Sequence, residues 1–477
     1  MKKFILLFLF ISLVIKSQSV DIINSRELIK TVEFLSSKEL AGRLPGHSGY
    51  DKAAKFMADQ FSKLKLLPGG DNGFIQKLKV EYNNIFFEDN FTIIKDGKEV
   101  KYVLGKDYVY RGFTGSGNIT ASTAFCGYGL SQPELGYDDY AGIDVKGKVV
   151  LVFKYNPKWD VDGKVFNSGN PREKAIVAAK HGAIGILFVS FPNDQEPQKP
   201  IGSVINGAGE QMIEFPELHI DLPVANVLFD GSGYSLKELQ TTIDNSKSPF
   251  SVPLLHKVKI NVKTEYVKAK EVVNVVGLLE GTDPILKNEW LIIGAHLDHV
   301  GQQAGKIYFP GANDNASGSA AILQIARAFN SNPVKPKRSI AFLLFASEEQ
   351  GLHGAQFFAE HLPFDAKSVK AMFNMDCIGY GDSIQIGGGE SAKELWDTAK
   401  EIDSGNNKLL VNRTWKGGGA DAEPFYQKGI PTLYFVTTNS YKHLHMLSDK
   451  ADTLNPQLFE AITQLAYLTL TEIANKP

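Results

Sequence analysis

The chain has 477 residues, 43% of them apolar and 22% charged, an ordinary balance for folded domains with sizeable cores. Fifty-one Lys and Arg against 53 Asp and Glu give a formal charge of -2, which leaves no electrostatic case for nucleic acid or an anionic membrane as partner. The two cysteines, Cys126 and Cys377, exclude a disulfide scaffold and read as small buried side chains.

Met1-Lys2-Lys3 precedes an apolar run from Phe4 to Ile15, which ends at Lys16-Ser17-Gln18-Ser19. A basic start, a short apolar stretch and small residues predict a signal peptide over residues 1–19, and so an exported protein, periplasmic or extracellular. Spanning a bilayer takes about twenty apolar residues, so no stable membrane insertion is expected once the signal is removed.

Three blocks follow. In the first, residues 20–96, Ala53, Ala54, Met57, Phe61 and Leu64 recur at helical spacing and predict an amphipathic helix over Gly49 to Leu66. Leu35 to Arg43, followed by Pro45-Gly46, reads as a polar turn leading into it. The second block, residues 97–264, breaks short β-branched and aromatic runs with glycine and proline, which predicts a smaller α+β domain. Val149–Val152 and Ile184–Val189 are its strands, and Pro171–His181 is the helix between them. Its histidines, His181, His219 and His256, have no metal-ligand spacing and read as structural or surface groups.

The third block, residues 265–477, alternates apolar runs with helical patterns, the signature of an α/β sheet covered by helices on both faces. The strands are expected at Trp290–Ala295, Ile340–Phe345, Val369–Phe373 and Pro431–Val436. The helices are expected at Ala316–Phe329, capped by Asn315 or Ser317, and at Pro456–Ala474. His296 follows the first strand, Glu348 and Glu349 the second, Asp376 the third, and His445 lies in the loop after the fourth. The ligand crevice of an open α/β sheet lies outside the carboxyl ends of its strands, so these groups are placed to converge. Asp314 sits in the glycine-rich stretch Gly311 to Gly318, at the mouth of a helix.

Two imidazoles, His296 and His445, and three carboxylates, Asp314, Glu349 and Asp376, suit a pair of borderline cations, with Glu348 free to take a proton from water. Asp298 is placed to orient the His296 ring. Zinc is favoured by these donor types, and cobalt or manganese suits similar geometry.

Together, Asn274–Gly281, Gly294-Ala-His-Leu-Asp-His-Val-Gly301, Gly311–Gly318, Phe345-Ala-Ser-Glu-Glu-Gln-Gly351, Asn374-Met-Asp376 and His445–Asp449 resemble the co-catalytic zinc aminopeptidases, a family that also holds glutamate carboxypeptidase and glutaminyl cyclase relatives. Leu35 to Phe61 is similar to that family's first region. Phe125–Gly129, Lys146–Val150 and Leu222–Asn226 resemble an inserted protease-associated domain. The resemblance implies a largely parallel sheet sandwiched by helices and peptide substrates. It implies two zinc ions, one held by His296 and Asp376, the other by Glu349 and His445, with Asp314 bridging and Glu348 as general base. The inserted domain's position ahead of the first ligand strand leads to the expectation that it covers or frames the cleft. Many relatives carry Tyr before the last histidine, where this chain has Leu444, and Tyr441 is the candidate substitute as oxyanion helper. Where relatives read Ser-Asp-His, this chain has Ala420-Asp421-Ala422. His443 rivals His445, which keeps the spacing to Ser448-Asp449. A carboxypeptidase or an amide hydrolase or cyclase on the same metals, and a non-catalytic binding protein on the same fold, are the alternatives.

Overall fold

The computed structural model describes residues 20–167 and 169–477, so the expected signal peptide lies outside the described residues. The chain divides into two compact units. One holds residues 20–80, 269–300 and 309–477; the other holds 81–268 and 301–308.

In the first unit the longer helices are α1 (Ser25–Leu35), α2 (Ser48–Lys63), α3 (Gly318–Ser331), α4 (His353–Glu360), α5 (Lys393–Ser404) and α6 (Pro456–Asn475). Its sheet begins with β1, the residues after 268 of the strand Ser251–Leu279. It continues with β2 (Trp290–His296), β3 (Ser339–Phe345), β4 (Val369–Met375), β5 (Ile384–Gly387) and β6 (Thr432–Thr437). The order is β5-β6-β4-β2-β3-β1; the central four run parallel and the two outer strands antiparallel to their neighbours.

Successive side chains of a strand point to opposite faces, and here both faces are buried, which is why each strand reads as an unbroken apolar run. Leu291, Ile293, Ile340, Phe342, Leu344, Phe373 and Phe435 pack with α1, α2, α3 and α6. Their neighbours in sequence, Ile292, Ala341, Leu343, Phe345 and Met372, pack with Ala355 and Phe358 of α4 and with Phe425. Asn274 ties this framework to the site, since its side chain accepts from the Ala346 N–H (2.9 Å) and donates to the Gly354 carbonyl (2.9 Å), joining the end of β3 to α4.

Two elements depart from the expectation. Helix α3 starts at Gly318 because Ala312–Ser317 is wound as a separate π-type turn, a local geometry that periodicity does not register. The segment expected as a polar turn is a 3₁₀ stretch, Lys38–Arg43, whose last side chain is wholly buried.

The second unit carries its own sheet. The early part of Ser251–Leu279 pairs antiparallel with Gly117–Cys126, followed in parallel by Val149–Phe153, Gly185–Val189 and Glu217–Ile220, with Tyr108–Tyr110 antiparallel at the edge. Helix Pro171–Lys180 opens on Pro171, with Asn170 capping it. His219 is buried against Ser190 (3.2 Å) and His181 stacks on Tyr140. Cys126 and Cys377 are both free and buried. Among the described residues no helix is long and apolar enough to cross a membrane.

Candidate metal centre

The carboxyl ends of the four parallel strands bring the chemistry together. His296 is the last residue of β2, Asp376 directly follows β4, Glu348 and Glu349 lie just past β3, and His445 lies in the loop after β6. Asp314 is presented by the turn ahead of α3. That turn fits only because two positions lack a side chain: a Cβ on Gly311, which has φ +60°, would lie 2.4 Å from the Asp314 carbonyl oxygen, and one on Gly318 would lie 2.2 Å from that of Met375.

Asp314 divides its two oxygens between two sets of donors. Oδ1 lies 3.3 Å from His296 Nε2, which is itself 3.4 Å from Asp376 Oδ1. Oδ2 lies 3.2 Å from His445 Nε2, which is 2.8 Å from Glu349 Oε2. His296, Asp314 and Asp376 thus form one metal-competent group, and His299, Asp314, Glu349 and His445 a second, the donor atoms of each lying within 4.8 Å of one another. Glu348 belongs to neither; its Oε2 is 3.9 Å from His296 Nε2. His443 is turned away, with Nδ1 2.9 Å from Ser448 Oγ.

The supports of this cluster are as specific as its members. The Asp298 carboxylate accepts the backbone N–H groups of Glu348 (3.2 Å) and Glu349 (3.3 Å). The His296 Nδ1 is 3.2 Å from the Asp298 carbonyl oxygen and 3.8 Å from its carboxylate, so the backbone makes the shorter contact to the ring. The buried Asp449 carboxylate accepts from the N–H groups of Asn313 (2.8 Å) and Asp314 (3.1 Å). Arg43 donates from its buried guanidinium to the carbonyls of Leu35, Leu297, Pro310 and Gly311 at 2.5–2.8 Å, holding the loop after His296 to the loop before Asp314. Sequence reasoning missed His299, Arg43 and the role of Asp449. Only the proximity of His299 to His296 was a signal, since a buried arginine inside a polar run has no signature in composition.

The electrostatics reflect crowded carboxylates. Burial would raise the Asp314 carboxyl, but the facing imidazoles of His296 and His445 hold it well below the usual range. Burial would lower both imidazoles, yet the surrounding carboxylates, Glu348 and Asp376 against His296 and Glu349 against His445, raise them well above it. Glu348 is pushed well up, by burial first and then by Glu349, Asp421 and Asp376, against the pull of His296. Asp421 is wholly buried with neither carboxylate oxygen hydrogen-bonded among the described residues, and burial raises it too. Asp376 Oδ1 is likewise buried, with the 3.4 Å approach of His296 Nε2 but no hydrogen bond among the described residues. Orphaned acceptors and an excess of negative charge around two imidazoles are what a divalent cation would balance, and the mixed nitrogen and oxygen donors fit zinc.

Beside this centre a hollow of about 800 Å³ is lined by Trp415, Tyr434, Val436, Arg413, Tyr441 and Lys442 among others. The Tyr434 hydroxyl donates to Asp376 Oδ2 (3.1 Å) and lies 3.4 Å from the hydroxyl of the half-exposed Tyr441.

Residues 274–470 match the model of peptidase family M28, and residues 116–228 match that of the PA domain. Residues 274–470 therefore carry a domain similar to peptidase family M28. The chain is a zinc metallopeptidase with an inserted PA domain. It is 23% identical to aminopeptidase YwaD of Bacillus subtilis (strain 168), over 84% of this chain and 73% of the relative. It is 28% identical to a glutamate carboxypeptidase 2 homolog of Caenorhabditis elegans, over 73% of this chain but only 52% of that protein. Among solved structures, an aminopeptidase from Aneurinibacillus sp. strain AM-1 has the same fold, with a TM-score of 0.66 over 97% of both chains at 20% identity.

Proposed function

We propose that this zinc metallopeptidase is an exported aminopeptidase that binds two zinc ions and releases N-terminal residues from peptides. The observation that carries the reading is the bridging placement of Asp314, one oxygen toward His296 and Asp376, the other toward His445 and Glu349. His296 and Asp376 would hold one ion, Glu349 and His445 the other, and Asp314 both. When bound, such ions polarise the scissile carbonyl and acidify a water.

The chain's own residues do the rest. Glu348, outside both donor groups, accepts the proton of the attacking water as its oxygen bonds to the carbonyl carbon; the C–N bond then breaks and Glu348 returns that proton to the leaving amine. Its raised pKa suits a group that must both take and return a proton, and bound cations would lower it again. Asp298 fixes the backbone of Glu348 and Glu349 and so aims the base. The aromatic hollow beside Asp376 is placed to take the side chain of the terminal residue, with Tyr434 and Tyr441 at its inner edge. The aminopeptidase names of the relatives support the amino-terminal direction, and the N-terminal sequence supports export.

The test is turnover of aminoacyl arylamides beside N-acylated peptides by zinc-loaded protein. Cleavage of the free-amine substrates is expected; cleavage of only the blocked ones would replace the aminopeptidase reading with that of a carboxypeptidase or amide hydrolase.

A further inference from the structure

The second donor group has one member more than the first, and that member, His299, is wholly buried. Its Nδ1 lies 2.9 Å from Glu349 Oε1 and 3.6 Å from Asp314 Oδ2, while its Nε2 is buried and has no hydrogen-bond partner among the described residues. The ring is caged. The His299 N–H donates to the Arg43 carbonyl oxygen (3.2 Å), and a Cβ on Gly311 would come within 2.5 Å of the imidazole, so the ring occupies the space that this glycine leaves.

Two roles fit a histidine in this place, and its far nitrogen distinguishes them. A metal-bound imidazole nearly always donates its other N–H to an acceptor that fixes the ring. His296 has such an acceptor in the Asp298 carbonyl oxygen; His299 has none. A carboxylate oxygen is acceptor only, so the short contact to Glu349 needs the proton on Nδ1. The other oxygen of Glu349, Oε2, faces His445 Nε2 at 2.8 Å.

We propose that His299 is a positioning residue: its Nδ1–H holds Glu349 Oε1 and thereby commits Oε2 to the second cation. This rests on the two-cation reading above. The two sites are then unequal, because Glu349 is braced at its side chain by His299 and at its backbone by Asp298, and loss of the first brace loosens one cation and not the other.

The experiment measures the affinity of both zinc sites by competition with a chromogenic chelator, in wild type, His299→Ala, His299→Asn and His299→Gln. The melting temperature of each metal-free chain is read beside it. The Asn amide nitrogen falls near the Nδ1 position, whereas that of Gln falls near Nε2 and cannot reach Oε1. The expected result is a loss of about 10–100-fold at one site in His299→Ala and His299→Gln, and near wild-type affinity in His299→Asn. The metal-free melting temperature of His299→Asn should match that of the wild type. Unchanged affinity in His299→Ala, or a loss at both sites together, would overturn the proposal. Equal loss in the Asn and Ala variants would make the imidazole a ligand and overturn it as well. A wild-type chain that binds a single zinc would overturn the two-cation reading along with it.

Discussion

Replacing Arg43 with Met removes a charge from the interior while keeping much of its volume, and the outcome can be estimated. The guanidinium makes four hydrogen bonds to carbonyl oxygens. Bonds from a charged donor contribute about 1.5–3 kcal/mol each, roughly 6–12 kcal/mol in all. Against this stands burial, which pushes the Arg43 pKa down to about 10, although Asp314, Asp449, Asp298 and Glu349 pull it the other way. A fall from 12.5 to about 10 corresponds to ~3 kcal/mol of lost preference for the charged form. The hydrogen bonds win, and Met recovers some apolar contact. The difference is roughly 3–9 kcal/mol before that recovery, so the net loss should lie at the lower end, about 3–5 kcal/mol.

Urea unfolding of the metal-free protein would read this change, followed by the fluorescence of Trp290, Trp396 and Trp415, which all lie in the affected unit. Because Leu297 directly follows His296 and Gly311 opens the turn that carries Asp314, zinc affinity should fall with stability. A variant within about 1 kcal/mol of wild type that kept its zinc would refute the argument that this buried cation ties the loops together.

Other expectations are more direct. Glu348→Gln should lower turnover by about 10²–10⁴-fold with zinc content unchanged, since Glu348 lies outside both donor groups; lost zinc would show it to be a ligand. Chelation should lower the melting temperature and added zinc restore it, by ~2.7 kcal/mol per site when free zinc is about 100-fold above its Kd. In the other unit, burial raises Asp139 to about 7, despite hydrogen bonds from the Leu130 N–H and the Tyr137 hydroxyl. The folded unit therefore keeps a proton that the unfolded chain releases. Its contribution is fully present below about pH 4 and is lost, to the extent of ~4 kcal/mol, as pH rises to about 7. Lys174, brought down to about 7 by burial, acts only above that window. Urea midpoints of the metal-free protein between pH 4 and 7 should show this decline, and Asp139→Asn should make it shallower, the rest coming from other buried carboxyls such as Glu217, Asp298 and Asp449; an identical slope in the variant would refute the assignment.

What could be read directly from the sequence was whatever has a period or a terminus. The four parallel strands stood out because a strand buried on both faces cannot alternate, and His296, Glu348, Glu349 and Asp376 stood out because each directly follows such a run. Helices α2 and α6 were legible from spacing and from Pro456. The family resemblance rested on short stretches that carry these same residues.

The tertiary structure alone decided how the groups face one another. That Asp314 turns one oxygen to each donor set, that Asp298 holds the tandem glutamates by their backbone, and that His299 joins Glu349 all depend on contacts between residues far apart in the chain or on side-chain direction, which local pattern does not encode. Arg43 is the clearest case. A charged residue in a polar stretch reads as solvated, and it is buried only because four carbonyl oxygens from three separate segments converge on it.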